Sequence, residues 1–408
     1  MFKARSLKTI LNQWGGSTAT FFTYTHLSHD LCIGLFVALL PLIRESLGLS
    51  YLQSGLLLSA YTITSGLSQF PGGWIGDRVS RYMVIAIGLG GVGLTTLAIG
   101  LSPTYYPMLF ILVTMGIFAG AYHPSVVSML FSHSEKTRRG KVIAIHMVGG
   151  SVGFTIGPFL GGLIAELLGW RFAFIILGIP ALVAVPLILR KFRQKGPIDS
   201  LKPENQSANN DDTTLKPLHR GTNIFQALQP IAIIFSLVIL MQFIGGSAMA
   251  FIPIYLVDKH NITPAYAAIM IGIVRAGGIS GSLFGGWLSD KWSRKNALFL
   301  ALVTTGPILY LLTKLPFNAG LIVILILFGL IMYMRQATVQ TLLMDSVPSQ
   351  LRATIFGIYF GLGLEGQSLI QPVAGYFMDI FGIAEVFSVI ALISVGLSLI
   401  TLFLVRKA

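Results

Sequence analysis

The sequence predicts an all-α membrane protein with twelve transmembrane helices in two six-helix parallel repeats. Three observations predict it. The 408 residues are 54% hydrophobic and only 11% charged, whereas a soluble domain carries about 25% charged residues. Twelve apolar runs each approach the roughly 20 residues needed to cross a bilayer. A loop pattern recurs half a chain apart. The composition excludes a disordered chain and an ordinary soluble enzyme. The single cysteine, Cys32, excludes an internal disulfide and a cysteine metal site.

The first six runs cover about 20–43, 52–74, 82–102, 106–130, 142–168 and 171–189. The second six cover about 228–256, 265–288, 296–313, 319–344, 354–378 and 384–405. The first run is too long for a cleavable signal and lacks a small-residue cleavage site, so it is expected to remain as a span. Between the sets, Lys195-Gly196-Pro197 and Asn209-Asn210-Asp211-Asp212 mark a flexible linker. The expected organisation is a bundle at 1–189, a cytoplasmic linker at 190–223 and a second bundle at 224–408.

The net charge of +13 would suggest nucleic acid on a soluble protein. Its placement gives another meaning. Of 28 Lys and Arg, 22 fall on the side shared by the termini, the linker and the even-numbered connections. The opposite side has 4, Arg44, Arg171, Lys259 and Lys314, and Arg275 and Arg335 lie inside spans. The positive-inside rule then puts both termini in the cytoplasm. The expected location is the inner (plasma) membrane, with no nucleic-acid partner.

The repeat is visible in two loops. Gly72-Gly73-Trp74-Ile75-Gly76-Asp77-Arg78-Val79-Ser80-Arg81 and Gly285-Gly286-Trp287-Leu288-Ser289-Asp290-Lys291-Trp292-Ser293-Arg294 match at an offset of 213. Arg139 and Arg352 share that offset, and Pro158 and Pro372 match at 214. Six helices separate equivalent points, so the halves run in the same direction. Parallel repeats are one of the transporter plans, with the substrate site between halves near the midplane.

Gly73-x-x-x-Asp77-Arg78-x-x-Arg81 and Gly286-x-x-x-Asp290-Lys291-x-x-Arg294 resemble the paired loop signature of the major facilitator superfamily. Ser80 and Tyr82 depart from the first copy. The resemblance implies the major facilitator fold over essentially the whole chain. It also implies a gating role for Gly73, Asp77, Arg78, Arg81, Gly286, Asp290, Lys291 and Arg294, with Asp77 and Asp290 pairing across to the other half. Anchoring of Arg78 and Arg81 at the membrane surface is the plainer alternative. Gly149, Gly153, Gly157 and Gly161 are four apart, as are Gly277, Gly281 and Gly285. Such stripes let helix backbones touch in a bilayer. With Pro158, the span-5 stripe also resembles the superfamily's antiporter signature, although Ala144 stands where that signature begins with glycine.

Ionisable groups inside a bilayer cost about 3 kcal/mol or more, so they are expected to face a cavity or a partner. Spans 3, 6, 9 and 12 have none in their interiors. Span 1 carries His26, His29 and Asp30, with His26 and Asp30 on one face at spacing four. Two readings stand: a pair that exchanges a proton, or a static hydrogen-bonded pair. Thr25-His26-Leu27-Ser28-His29-Asp30 and Tyr122-His123-Pro124 are similar to the fosmidomycin-resistance branch of the superfamily. That resemblance implies proton-driven efflux of a small polar or amphipathic compound, and it transfers His26, Asp30, His123 and Pro124. The arginine often found early in span 4 of proton antiporters is missing between Leu109 and Ala119; His123 is the candidate substitute.

The expected proton-coupling set is therefore His26, Asp30, His123 and Glu365. The expected substrate-binding set is His29, Tyr122, Gln242, Arg275, Arg335, Gln336 and Gln367. Arg275 and Arg335 are open to two readings, an anion-binding fork or structural pairing such as Arg275 with Glu365. Arg275 lies about 160° round its helix from Gly277 and is expected to point into its own half. No Walker loop or spaced metal motif is present. The sequence thus leads to an alternating-access secondary transporter with no cofactor, a proton gradient as energy source, and a monomeric, lipid-embedded, non-enzymatic role. The runner-up is a symporter or uniporter taking up a small anionic metabolite.

Overall fold

The computed structural model describes residues 16–76, 78–132, 139–193, 232–346, 359 and 366–405. Twelve α-helices run through them. In the first half these are α1 Gly16–Leu47, α2 Tyr51–Gly76, α3 Arg81–Leu101, α4 Tyr105–Ser132, α5 Arg139–Leu168 and α6 Trp170–Arg193. In the second they are α7 Ala232–His260, α8 Pro264–Lys291, α9 Arg294–Lys314, α10 Ala319–Ser346, α11 Ile370–Phe381 and α12 Ile383–Val405. Ten are long and apolar enough to cross a membrane. The exceptions have local causes. Helix α2 carries Ser54, Ser59, Thr62, Thr64, Ser65 and Ser68, whose hydroxyls bond mostly to helix carbonyls, as Thr62 does to Leu58 O at 3.0 Å. The described part of α11 has only 12 residues.

Span 11 departs from the continuous helix expected over 354–378. A 3-10 turn, Gly366–Leu369, precedes α11. Glycine is a poor helix former, and Gly357, Gly361, Gly363 and Gly366 crowd this stretch.

Helix ends are set by local chemistry. Gly169 and Gly382 follow α5 and α11, both at φ +90°, and they stand 213 residues apart. A side chain there would be strained, so the repeat preserves the stop signal itself. Asn261 ends α7 at φ 55°, a conformation asparagine tolerates better than most residues. Ser293 caps α9 by accepting a bond from Asn296 N at 3.1 Å. Arg171, at the start of α6, donates to Ser102 O at 2.5 Å and Gly100 O at 3.3 Å, answering carbonyls left open at the end of α3.

The packing repeats as well. In the first half α1 packs on α5, α2 on α4, and α3 on α4 and α6. In the second, α9 packs on α10 and α12. Glycines make the closest approaches. A Cβ added at Gly149, Gly153 or Gly157 would run into the carbonyl oxygens of Thr23, Leu27 and Leu31 on α1. One added at Gly161 would strike Leu35, and Pro158 is buried in the same stretch. On α8, Gly277 and Gly281 stand against the Ile326 and Leu330 carbonyls of α10, and Gly285 against Met334. Where lipid supplies no hydrophobic drive, such contact is what holds helices together.

The chain divides into two compact units. One holds Met1–Gly196 with Phe251–Arg275, and the other holds Pro197–Ala250 with Ala276–Ala408. The end of α7 and the start of α8 therefore belong with α1–α6. Gly162 of α5 lies against Ala265, Ala268 and Ile269 of α8, and Gly272 of α8 lies against the Phe159 ring.

Replacing Gly153 with leucine is expected to lower unfolding stability by about 1–3 kcal/mol, as overpacking does. Gly286, with nothing within 4 Å of an added Cβ, serves as the control. Gly286→Ala is expected to stay within about 0.5 kcal/mol of the parent. Equilibrium unfolding in detergent micelles measures both.

Candidate functional site

Helix α1 brings three ionisable side chains to its buried faces: His26, His29 and Asp30 are 3%, 0% and 5% exposed. His26 Nε2 lies 3.2 Å from Asp30 Oδ2, and His29 Nδ1 lies 2.7 Å from Asp30 Oδ1. The carboxylate is thus gripped on both oxygens by imidazoles of its own helix.

Helices α4 and α5 complete the cluster. His26 Nδ1 lies 2.8 Å from the His146 carbonyl oxygen, and His146 Nδ1 lies 3.0 Å from Phe22 O. The two rings stack with centroids 4.2 Å apart. Thr25 spends its one proton on Phe22 O at 3.0 Å. Tyr122 OH therefore donates to Thr25 Oγ1 across 2.8 Å. The Tyr122 ring stacks on His29 at 4.5 Å, and His123 stands edge-on to His29 at 4.7 Å and to His26 at 5.3 Å.

Donor and acceptor rules count a proton here. A carbonyl oxygen only accepts, so His26 Nδ1 carries hydrogen. The Nε2···Oδ2 contact then needs one more proton between its atoms. Imidazolium with carboxylate satisfies it, and so does imidazole with carboxylic acid. Without that proton, a nitrogen lone pair faces a carboxylate. The His26–Asp30 pair is therefore built around one bound proton. His26, Asp30 and His123 also offer ligand atoms within 4.8 Å of one another.

Gly150 makes this geometry possible. A Cβ there would sit 2.5 Å from Asp30 Oδ2 and 2.6 Å from His26 Nε2. Sequence reasoning noted the Gly149 stripe but missed Gly150, which sits one step round the helix. It also left His146 out of the proton site and passed over Thr25. The available signal was a Gly-Gly pair opposite a span carrying an acid.

A second polar cluster lies in the other unit. Arg335 on α10 is 1% exposed. Its Nη2 donates to Gln242 Oε1 on α7 at 2.7 Å, and Gln242 Nε2 donates to Gln367 Oε1 at 3.1 Å. At the offset of 213, Arg335 corresponds to Tyr122 and Gln242 to His29. Each pair is in contact within its own unit. The same two positions meet twice, with different chemistry.

The other expected residues are placed separately. Gln336 is partly exposed beside Arg335. Arg275 was expected to point into its own half, and the structure places it elsewhere. Its guanidinium lies 4.6 Å from the Phe154 ring of α5, a cation–π contact that helps answer the charge. Glu365 and Asp77 lie outside the described residues. In the loops, Arg78 stacks on Trp74 at 3.9 Å and Lys291 on Trp287 at 4.9 Å, so both copies set a cation over a tryptophan one turn earlier. Gly73 lies 3.7 Å, measured from an added Cβ, from the Pro124 ring. Arg294 donates to Thr341 O at 3.3 Å, Arg81 opens α3, and Asp290 is exposed. At the opposite end of the first unit, Arg44 Nη1 lies 3.1 Å from Asp258 Oδ2, and Tyr51 OH lies 2.6 Å from the same oxygen.

Twelve packed helices in two parallel repeats, with buried ionisable groups on α1 and α10, define a membrane transporter of small molecules. Residues 22–369 match the family model described as Major Facilitator Superfamily, and the chain belongs to that family. It is 22% identical to the Fosmidomycin resistance protein of Escherichia coli (strain K12) over 386 residues, covering 93% of this chain and 90% of that protein. It is 26% identical to a Probable hexose phosphate transport protein of Chlamydia muridarum over 293 residues, covering 67% of this chain and 62% of that protein. Among solved structures it resembles a bacterial homolog of the human lysosomal transporter Spinster, with a TM-score of 0.77, 17% identity and 96% of each chain covered.

Gly150→Ala is expected to displace Asp30 from His26 and to reduce transport at least tenfold while the protein still folds. Uptake or efflux assays alongside size-exclusion profiles check this. Transport at the parental rate would show that the pair's geometry does not matter.

Proposed function

We propose that this transporter exports a small polar or amphipathic compound in exchange for protons. The observation that carries the reading is the single proton required between His26 Nε2 and Asp30 Oδ2 at 3.2 Å. A buried group that must gain and lose one proton is what coupling requires. Similarity to a fosmidomycin resistance protein supports the outward direction. The drive is the proton gradient, with no cofactor. The protein works as a monomer in the inner membrane with both termini in the cytoplasm.

In the cycle, Asp30 with His26 takes a proton from outside, and His29, Tyr122 and His146 hold the receiving geometry. Protonation releases substrate, and rocking of the halves returns the empty site. Deprotonation toward the cytoplasm leaves the Asp30 charge to be answered before the halves rock again. Asp77 and Asp290 act as gate residues in this scheme. A second reading, uptake of a small anionic metabolite, is favoured by the buried guanidinium of Arg335 and by similarity to a hexose phosphate transport protein.

The test is transport of fosmidomycin in inverted membrane vesicles with an acid interior. Addition of drug is expected to dissipate the pH gradient, and collapsing the gradient with an ionophore is expected to stop drug accumulation. Asp30→Asn is expected to abolish both. Transport indifferent to the gradient and to Asp30→Asn would sink the proton mechanism. Accumulation only in right-side-out vesicles would favour uptake.

A further inference from the structure

We infer that Arg335, Gln242 and Gln367 form an anion subsite that takes the carboxylate or phosphoryl head of a small organic molecule. The inference deepens the transporter reading above by giving the substrate a chemical class. It begins with an unanswered charge. Arg335 is 1% exposed, and no carboxylate forms an ion pair with it among the described residues. Its Nη1 is buried without a hydrogen-bond partner. Its Nη2 bonds Gln242 Oε1 at 2.7 Å and lies 3.2 Å from Met332 Sδ. A neutral amide and a thioether remove none of the positive charge.

The two amides run in a chain from one edge of the guanidinium. Gln242 accepts from Arg335 and donates to Gln367 at 3.1 Å. The chain of dipoles holds one edge of the planar fork and leaves the buried Nη1 unpaired. A fork with one edge fixed is preorganised for an oxyanion, and it discriminates against a neutral isostere because leaving the charge unpaired is costly.

The backbone beside it is cleared for this arrangement. A Cβ on Gly245 would sit 3.1 Å from Met332 Sδ and 3.7 Å from Arg335 Nη2, and one on Gly246 would overlap Gln367 Oε1. Ser247 Oγ bonds Phe243 O at 2.8 Å and lies 3.4 Å from Gln367 O, which fixes the turn that presents the amide. Two glycines and two glutamines therefore converge on one arginine.

A structural pair and a ligand site respond oppositely to removal of the charge. Deleting one partner of a buried pair destabilises, because it strands the other. Deleting a charge kept for a ligand relieves the empty protein. Purified full-length protein is unfolded thermally with no ligand, and Arg335→Gln is expected to raise the midpoint by a few degrees. An unchanged or lower midpoint overturns the proposal. In the second arm, benzoate and phenyl phosphate, each at millimolar concentration, are added with benzyl alcohol as the neutral control. At least one anion is expected to raise the parental midpoint, and neither is expected to shift Arg335→Gln. Which anion acts separates the carboxylate from the phosphoryl source. A shift retained in the variant, a shift with the alcohol alone, or no shift in the parent overturns the proposal. Gly246→Ala, which displaces Gln367 but keeps the charge, is expected to weaken the anion's shift. No arm uses a proton gradient, so failure here and failure of Asp30 coupling are told apart.

Discussion

The carboxylate of Asp30 imposes the constraint on which the rest of the site depends. A bare carboxylate at the middle of a membrane span costs about 3 kcal/mol or more. One hydrogen bond to a charged group returns about 1.5–3 kcal/mol. A single partner therefore roughly breaks even, and two partners win. Asp30 has both, His29 at 2.7 Å on one oxygen and His26 at 3.2 Å on the other. Neither imidazole is free to leave. His29 is stacked under Tyr122, which is tied to Thr25, and His26 is bonded to the backbone of α5 through His146 O. The charge is held by three helices, and any motion between α1 and α5 changes how well it is answered.

The glycines bring the two helices close enough for this arrangement. Gly149, Gly153 and Gly157 bring α5 onto the α1 carbonyls, and Gly150 opens the space that Asp30 and His26 occupy. A backbone this close transmits displacement directly, because no side chain lies between to absorb it. Packing and chemistry are the same contact seen from adjacent residues of α5.

Much of this was legible in the sequence, and the reasons are physical. Apolar length gave the spans, since 20 residues are needed whatever else they do. The i, i+4 spacing gave the His26–Asp30 pair because helical geometry fixes it. The glycine stripe gave a close helix contact for span 5, while the identity of its partner, α1, came only from the structure. What escaped was set across helices. The role of Gly150 depends on which residue of α1 it meets, and periodicity along α5 carries no such information. Arg275 was expected to face its own half because its angle from the Gly277 stripe was read alone. The structure sets it against Phe154 of α5, since the start of α8 packs with the first bundle. Helix angle says which way a side chain leaves its helix, not whose helix stands there.

The duplicated frame explains how one chain hosts two opposite chemistries. Tyr122 meets His29 in one half, and Arg335 meets Gln242 at the corresponding positions of the other. Equivalent positions meet through their side chains in both halves, so the repeat carries the meeting point twice. In the first half an aromatic ring at that position supports an imidazole against a carboxylate, so the charge held there is negative and is answered by a proton. In the second half the position carries a guanidinium against an amide, so the charge held there is positive. A titratable acid and a permanently charged base cannot exchange roles with pH: only the Asp30 side changes its charge when a proton arrives. On the proposed exchange reading, proton and substrate need no direct contact. In that scheme one half supplies the switch and the other supplies the grip.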